Sequence, residues 1–478
     1  MAHQRSPTAG VIVVGSGPGG ATVARELARG GRRVLLLERG QDHRGTPWYG
    51  TYLGALLYID RGSLLFTREG LQIVRPLMVG GATSMYCGCA APPPTWLASR
   101  YGVDVAREVT ETVAELGVAP LPPELRGPAS TRIAMAGRAL GQDWQPQLKF
   151  MRLGQCEEAR AGSGSSGTLT PATAADAARG GSYPPRITTP ATGEVGNFAC
   201  GAHCMLGCRC GAKWSAAEFV DDAVAAGAEL RTGARVERVL LEDGCAVGVA
   251  GTLGGRPFTA RASTVVLAAG GIGTPRILQA SGFREAGQGA TMDATLMVYG
   301  VARGPGIGSE PPMTWAWHDE QQDLMLSTLI DPWLLYPITA ALAGPRRLLS
   351  WARYGSTLGV MIKLRDELSG GVGPRTISKP LGRRDRERLA YAQEAAERLL
   401  REAGCDPASI FATPLRGTHP GSTARIGALV DADLQAEARG LYVCDASAFP
   451  EALGRPTVLT LIGMGKRLGR RLLAGGRP

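Results

Sequence analysis

Two stretches carry residue types at spacings that can do chemistry. One is Cys200-x3-Cys204-x3-Cys208-x-Cys210, which runs into Gly211-Ala212-Lys213. Thiolates this close together suit an iron-sulfur cluster or zinc, both of which accept sulfur ligands, and His203 stands where it can join a zinc site. Cys200, Cys204 and Cys208 are therefore candidate ligands, with a turn that packs reduced thiols as the alternative. The other stretch is 11–40, where Gly15, Gly17 and Gly20 form a G-x-G-x-x-G turn and Glu38 follows about 20 residues on. Glycines so placed allow a tight turn, close backbone approach to a pyrophosphate and close helix–strand contact. The helix N-terminus then offers N–H groups to phosphate, and the carboxylate suits a ribose hydroxyl.

These residues need a strand, a turn, a helix and a second strand to hold them. Val11–Val14 and Val34–Leu37 are short apolar runs of the kind buried in a parallel sheet, and 21–28 has helical periodicity. A second junction of this type follows the apolar run 264–269. There Gly270-Gly271-Ile272-Gly273-Thr274-Pro275 predicts a helix starting at Pro275, the favoured first position. Between them Val79-Gly80-Gly81-Ala82 is a glycine-led turn whose small residues let backbone approach a bulky planar ligand. Helices are predicted over 103–116, 215–226, 383–401 and 457–473, and the strand 236–241 and a glycine turn returning through 246–249 read as later strands of the nucleotide domain. The tract 159–197, which contains SGSSG, has no apolar period and reads as an exposed loop. From 283 to 414 the βα alternation breaks; strand-like segments at 295–301 and 357–362 flank an apolar tract, and an insertion of this size reads as a substrate or cap domain.

Composition narrows the function classes. A chain of 478 residues with 44% hydrophobic content is globular and large enough for two or three units. The net charge of +10 comes almost wholly from scattered arginine, without a run of like charges, which favours anionic substrates, a phosphate-rich cofactor or a membrane surface over nucleic acid. Ten cysteines in a chain of this size point to reduced thiols or a metal rather than a disulfide framework. The first strand begins within ten residues of Met1, so a cytoplasmic location is expected. The apolar tract 324–344 is interrupted by Asp331, Pro332 and Pro337 and is not expected to span a membrane. With Trp333, Tyr336, Arg346 and Arg347 it reads as an apolar pocket or a membrane-facing lip, and equally as cap-domain core.

Taken in order, the opening βαβ unit, Gly80-Gly81, the 269–275 turn, the 417–427 segment with His419, and Asp445-Ala446-Ser447 before the last helix resemble the glucose-methanol-choline (GMC) family of flavin oxidoreductases. The resemblance implies an α/β fold, a Rossmann-like FAD-binding domain with an inserted α+β substrate (cap) domain. Its segments would be 1–90 (FAD-binding), 91–195 (connecting and flavin-covering), 196–282 (FAD-binding, with the cysteines at its start), 283–414 (substrate domain) and 415–478 (histidine segment and closing FAD-binding segment). It implies FAD held by Gly15, Gly17, Gly20, Glu38, Gly80, Gly81, Val236, Gly270, Asp445 and Ala446. The FAD would be non-covalent, since Ser84, Met85 and Tyr86 stand where some members carry a linking histidine.

The family position of the base falls on His419, which would take a hydroxyl proton while hydride leaves the carbinol carbon for flavin N5. A base of this kind contributes about 10²–10⁴-fold. The second catalytic group of the family, Asn or His, falls on Pro456, which cannot hydrogen-bond a substrate oxygen, so His419 acts alone or with Glu451, Arg455 or Thr457. The Cys204 to Lys213 segment is similar to the iron-sulfur segment of bacterial flavin-dependent glucose dehydrogenases. The implied activity is that of an FAD-dependent alcohol dehydrogenase or oxidase acting on CH-OH donors. Its partner would be a small-molecule, lipophilic alcohol, with oxygen, a quinone or a redox protein as acceptor. A non-redox lyase of the hydroxynitrile-lyase type and a redox-inactive flavin subunit are the competing readings.

Overall fold

The computed structural model describes residues 10–63, 65–152, 203–209 and 211–475. The 159–197 tract, Cys200 and Cys210 lie outside the described residues. The opening unit forms as its pattern requires: β1 (Val11–Val14), α1 (Pro18–Arg29) and β2 (Val34–Leu37), with every strand residue buried. Four-residue runs that are apolar throughout suit strands covered on both faces, the situation of a parallel sheet. Next come α2 (Tyr52–Tyr58), α3 (Ala106–Leu116) and α4 (Ala216–Ala225); the last opens on a capping box between Ser215 and Glu218.

The chain continues through β3 (Glu229–Arg231), β4 (Ala234–Glu242), β5 (Cys245–Leu253), β6 (Arg256–Arg261), β7 (Val265–Leu267) and α5 (Gly270–Ala280). The glycine turn expected between the strands 236–241 and 246–249 is present: β4 and β5 are antiparallel and, with β6, form a sheet separate from the parallel one. The reason lies in their connections, Asp243-Gly244 and Gly254-Gly255, whose four residues all have φ between +49° and +80°. Two-residue turns of this kind close hairpins, whereas parallel neighbours need a long crossover. One expectation changes here: α5 starts at Gly270 and not at Pro275. Pro275 has no N–H to give the Gly271 carbonyl; that oxygen accepts from Thr423 Oγ1 at 2.9 Å, so the helix can begin a turn earlier.

β8 (Ala294–Val301), β9 (Trp315–Asp319), β10 (Leu324–Thr328), α6 (Tyr336–Ala343), β11 (Thr357–Leu364), α7 (Arg383–Glu402) and β12 (Arg416–Gly417) build the second unit. β13 (Leu441–Val443) and α8 (Val458–Ala474) then return to the first. The Rossmann-like sheet has the parallel order β13-β7-β1-β2-β3. In the larger sheet β9, β10, β11, β8 and β12 are antiparallel neighbours. Each sheet has its own core, one around Ile12, Leu36 and Val266, the other around Val298, Leu326 and Val360. The apolar tract divides into buried β10 and α6, a short helix with apolar residues on its exposed side as well as its buried one, and no helix among the described residues is long and apolar enough to cross a membrane.

Candidate active site

Register brings the site's residues together. β12 pairs with the start of β8, placing Gly417 opposite Ala294 and Arg416 opposite Thr295, while β11 sets Lys363 against Thr295 on the other side. The chain leaving β12 therefore turns directly over Asp293, where the N–H groups of Thr418 and His419 both donate to the Met292 carbonyl at 2.9 Å. His419 Nδ1 lies 2.7 Å from Asp293 Oδ2. The other carboxylate oxygen of Asp293 accepts from Gly454 N at 3.1 Å, and its backbone carbonyl accepts from the Thr295 and Thr418 hydroxyls. Asp293 has φ +46°, a left-handed conformation that Asp tolerates better than most side chains. Lys363 Nζ donates to Thr418 Oγ1 at 2.7 Å and sits 3.5 Å from His419 Nδ1.

Asp293 and Lys363 are 2% and 3% exposed, but the His419 side chain keeps 30%. Its Nε2 has no partner among the described residues. A carboxylate at Nδ1 holds the proton there and leaves the Nε2 lone pair outward, the tautomer a base needs. Burial, then the Lys363 charge, lowers the pKa of His419, opposed by its hydrogen bond to Asp293. The ring is thus neutral at physiological pH. Burial also lowers the Lys363 pKa, against the attraction of Asp293.

Neither Asp293 nor Lys363 was singled out from sequence. Their signal was a charge at the foot of one apolar strand and another inside a second. Lysine usage sharpens it: the chain has only five lysines, Lys149, Lys213, Lys363, Lys379 and Lys466, and all are at most 4% exposed. Of the substitutes considered for the second catalytic group, Glu451 is already held by Arg100, Arg365 and Tyr101. Pro456 and Thr457 are buried, and Arg455 has a buried Nε without a partner, with Nη2 3.6 Å from Glu320.

The residues expected to hold the nucleotide gather at the C-terminal ends of β1, β2, β7 and β13, where open parallel sheets bind such ligands. A Cβ on Gly15 would lie 2.2 Å from the Ala268 carbonyl oxygen and one on Gly20 2.0 Å from the Gly15 oxygen, so both positions require glycine. A Cβ on Gly17 or Gly270 would meet nothing within 4 Å, which leaves the N-terminal faces of α1 and α5 open. The Gly80-Gly81 turn lies against Gly17, and Gly80 N donates to Ser16 Oγ at 3.1 Å. Glu38 accepts from Ser16 N, Ser16 Oγ and Gly40 N, and Ala234 N donates to its carbonyl, which brings Val236 beside β2. Asp445 binds Gly270 N, Thr274 Oγ1 and Ser447 N, pinning the end of β13 and Ala446 to the start of α5; burial raises its pKa. Beside α5, burial and the neighbouring Arg39 and Arg276 push Arg75 down to about 10, countered by Asp60. Open helix N-termini and crowded guanidinium groups fit the diphosphate end of FAD.

Among its described residues the cysteine segment is organised around Lys213. Lys213 Nζ donates to the carbonyls of Ser84, Tyr86 and Cys204, and Lys213 N donates to Cys208 Sγ at 3.4 Å. Lys213 thereby clips the cysteine segment to the chain beyond Gly80-Gly81. Among the described residues no three His, Cys, Asp or Glu side chains are placed to hold a metal, and Cys200 lies outside them. A second thiol pair, Cys87 and Cys89, lies near this clip; Cys89 accepts from Lys149 Nζ at 3.2 Å, and burial pushes Cys87 up to about 12.

The chain matches GMC oxidoreductase sequences over residues 174–309 and 380–465, and an NAD(P)-binding Rossmann-like domain over 13–50. It is 25% identical to a long-chain-alcohol oxidase of Arabidopsis thaliana over 94% of this chain and 65% of that protein. It is 30% identical to an uncharacterized GMC-type oxidoreductase of Mycobacterium tuberculosis over 57% of this chain and 39% of that protein. An uncharacterized protein of Methanocaldococcus jannaschii is 30% identical over 45% of this chain and 54% of its own length. The chain thus spans between 39% and 65% of the length of these relatives. Among solved structures, pyridoxine 4-oxidase from Mesorbium loti superposes with a TM-score of 0.67 over 98% of this chain and 100% of that one, at 15% identity, which shows a shared fold.

Proposed function

The chain belongs to the GMC oxidoreductase family, and from that premise we propose that it oxidises an alcohol to a carbonyl compound with His419 as the base. FAD, when bound, supplies the hydride acceptor. His419 Nε2 takes the hydroxyl proton, which makes the carbinol carbon an effective hydride donor. As positive charge develops on the ring, Asp293 stabilises it across 2.7 Å, while Lys363 at 3.5 Å keeps the resting imidazole neutral and favours departure of the proton after turnover. Thr418 holds Lys363, and the Asp293 bond to Gly454 N fixes the carboxylate against rotation. The observation that carries the reading is the His419–Asp293 pair, with one ring nitrogen anchored and the other free at a partly open position. A lipophilic primary alcohol is the favoured substrate class, from the relatives named long-chain-alcohol oxidases.

Anaerobic mixing of the flavin-loaded protein with primary alcohols of graded chain length tests this. Bleaching of the flavin with formation of aldehyde is expected, and admission of air then reports whether oxygen is the acceptor. Failure of every alcohol to bleach the flavin, together with cleavage of a cyanohydrin without bleaching, would replace oxidation by the lyase reading.

A further inference from the structure

The large apolar side chains left on the surface are not scattered. Among the described residues, eleven of the nineteen that are strongly exposed fall in two short segments, 48–57 and 333–349. They include Leu56, Leu57 and Trp333 at 61%, 60% and 49% exposure and Leu342 and Leu349 at 66% and 79%. The two segments meet, because Leu334 N donates to Tyr52 Oη at 3.2 Å, and Trp333 packs on Trp351 with ring centroids 5.0 Å apart. This is one surface formed by α2 and by the region from 333 through the short helical turns Pro345–Ser356, none of whose residues is buried.

The charges these two segments carry have one sign. Residues 45–59 carry no charged side chain, and residues 332–362 carry Arg346, Arg347 and Arg353 without a single Asp or Glu. Arg347 donates to the Ala408 carbonyl, while the guanidinium groups of Arg346 and Arg353 have no partner among the described residues. The combination is an apolar centre, an aromatic pair and a cationic edge. A bilayer surface accepts each part: leucine side chains enter the headgroup–acyl boundary, tryptophan rings lie at the headgroup level and arginine meets lipid phosphate. A dry protein interface would leave the two free guanidinium groups in need of acidic partners, which anionic headgroups provide in any orientation. We propose that this face docks the protein on an anionic phospholipid bilayer as a peripheral attachment. The face is connected to the site by hydrogen bonds, since Asp331 and Thr339 bind Arg416, three residues before His419.

Flotation with vesicles tests the proposal on the flavin-loaded protein, and it reads attachment alone, so it stands apart from the assay for alcohol oxidation. Vesicles of phosphatidylcholine with about one-third phosphatidylglycerol should bind roughly tenfold or more of the protein bound by pure phosphatidylcholine, with the excess lost in concentrated salt. The exposed pair Leu348→Asp/Leu349→Asp should abolish flotation, and Arg346→Glu/Arg353→Glu should erase the preference for anionic vesicles; flavin absorbance and melting temperature should be unchanged in both. No flotation of the wild type, equal flotation with both vesicles, or variants that bind as the wild type does would overturn it. So would a leucine variant that turns a dimer into a monomer while the wild type ignores vesicles, since a second copy of the chain would then be the occupant.

Discussion

Replacing Asp293 by Asn probes the proposed base most directly. The substitution is nearly isosteric: the amide oxygen keeps the bond from Gly454 N at 3.1 Å, so the loop that Asp293 holds stays in place. On the other side the amide N–H₂ faces His419 Nδ1 at 2.7 Å and must donate to it. That moves the ring proton to Nε2 and removes the lone pair that receives the substrate proton. A charge-assisted hydrogen bond is lost as well, worth about 1.5–3 kcal/mol when the ring is charged. At about 1.36 kcal/mol per tenfold, this alone slows the reaction by about 10- to 150-fold. With the wrong tautomer added, the loss should reach about 10³–10⁴ in the limiting rate. The assay is stopped-flow bleaching of the flavin under anaerobic conditions by dodecanol, or by whichever primary alcohol reduces the wild type fastest. Flavin content and melting temperature serve as controls for folding. A variant that reduces its flavin within a factor of about three of the wild type, with normal flavin content, would refute Asp293 as the orienting partner and weaken His419 as the base.

Other outcomes follow from the same geometry. Because burial and Lys363 lower the His419 pKa, kcat/KM should hold steady through neutral pH and fall only below the usual histidine range of about 6.5; Lys363→Met removes the like charge and should move that acid limb to higher pH. An unmoved limb in a folded Lys363→Met protein would count against the contact. Gly15→Ala places a Cβ 2.2 Å from the Ala268 oxygen at φ +105°, and should purify with little flavin by its absorbance ratio. Asp331→Asn leaves the Arg416 guanidinium without its charged partner in a largely buried position and should cost about 3 kcal/mol in urea unfolding. His318 has its pKa lowered to about 4, first by burial and then by Arg455, so the unfolded chain binds the extra proton between about 6.5 and about 4 and stability falls as pH drops through that window. His318→Gln should flatten that part of the pH dependence of the melting temperature, and an unchanged slope would contradict it.

Elements whose pattern is local were legible in the chain. Val11–Val14, the glycine turn and Val34–Leu37 declare themselves because an unbroken apolar run, a turn that only glycine can make and a helical period are properties of neighbouring residues. The same holds for α4 with its capping box and for α8. The β4–β5–β6 sheet was also written locally, in the glycine turns Asp243-Gly244 and Gly254-Gly255. For α5 the local rule pointed the wrong way. Proline favours a helix start, yet a hydroxyl from Thr423, far along the chain, satisfies the carbonyl that Pro275 leaves open.

Family motifs in the sequence also marked His419 as a residue for chemistry and grouped the glycines around a nucleotide, since a motif needs only its own few positions. What tertiary structure decided is what surrounds that histidine. Asp293, just before β8, and Lys363, within β11, are far from it in sequence, and only the register of β8 with β11 and β12 puts a carboxylate 2.7 Å and an ammonium 3.5 Å from one ring nitrogen. The cysteine segment likewise acquires its described partner from Lys213, whose ammonium reaches across to the chain beyond Gly80-Gly81. Spacing along a chain can propose a ligand set or a base. The electrostatics that set its protonation depend on distances of a few ångströms between residues that only the folded sheet makes neighbours.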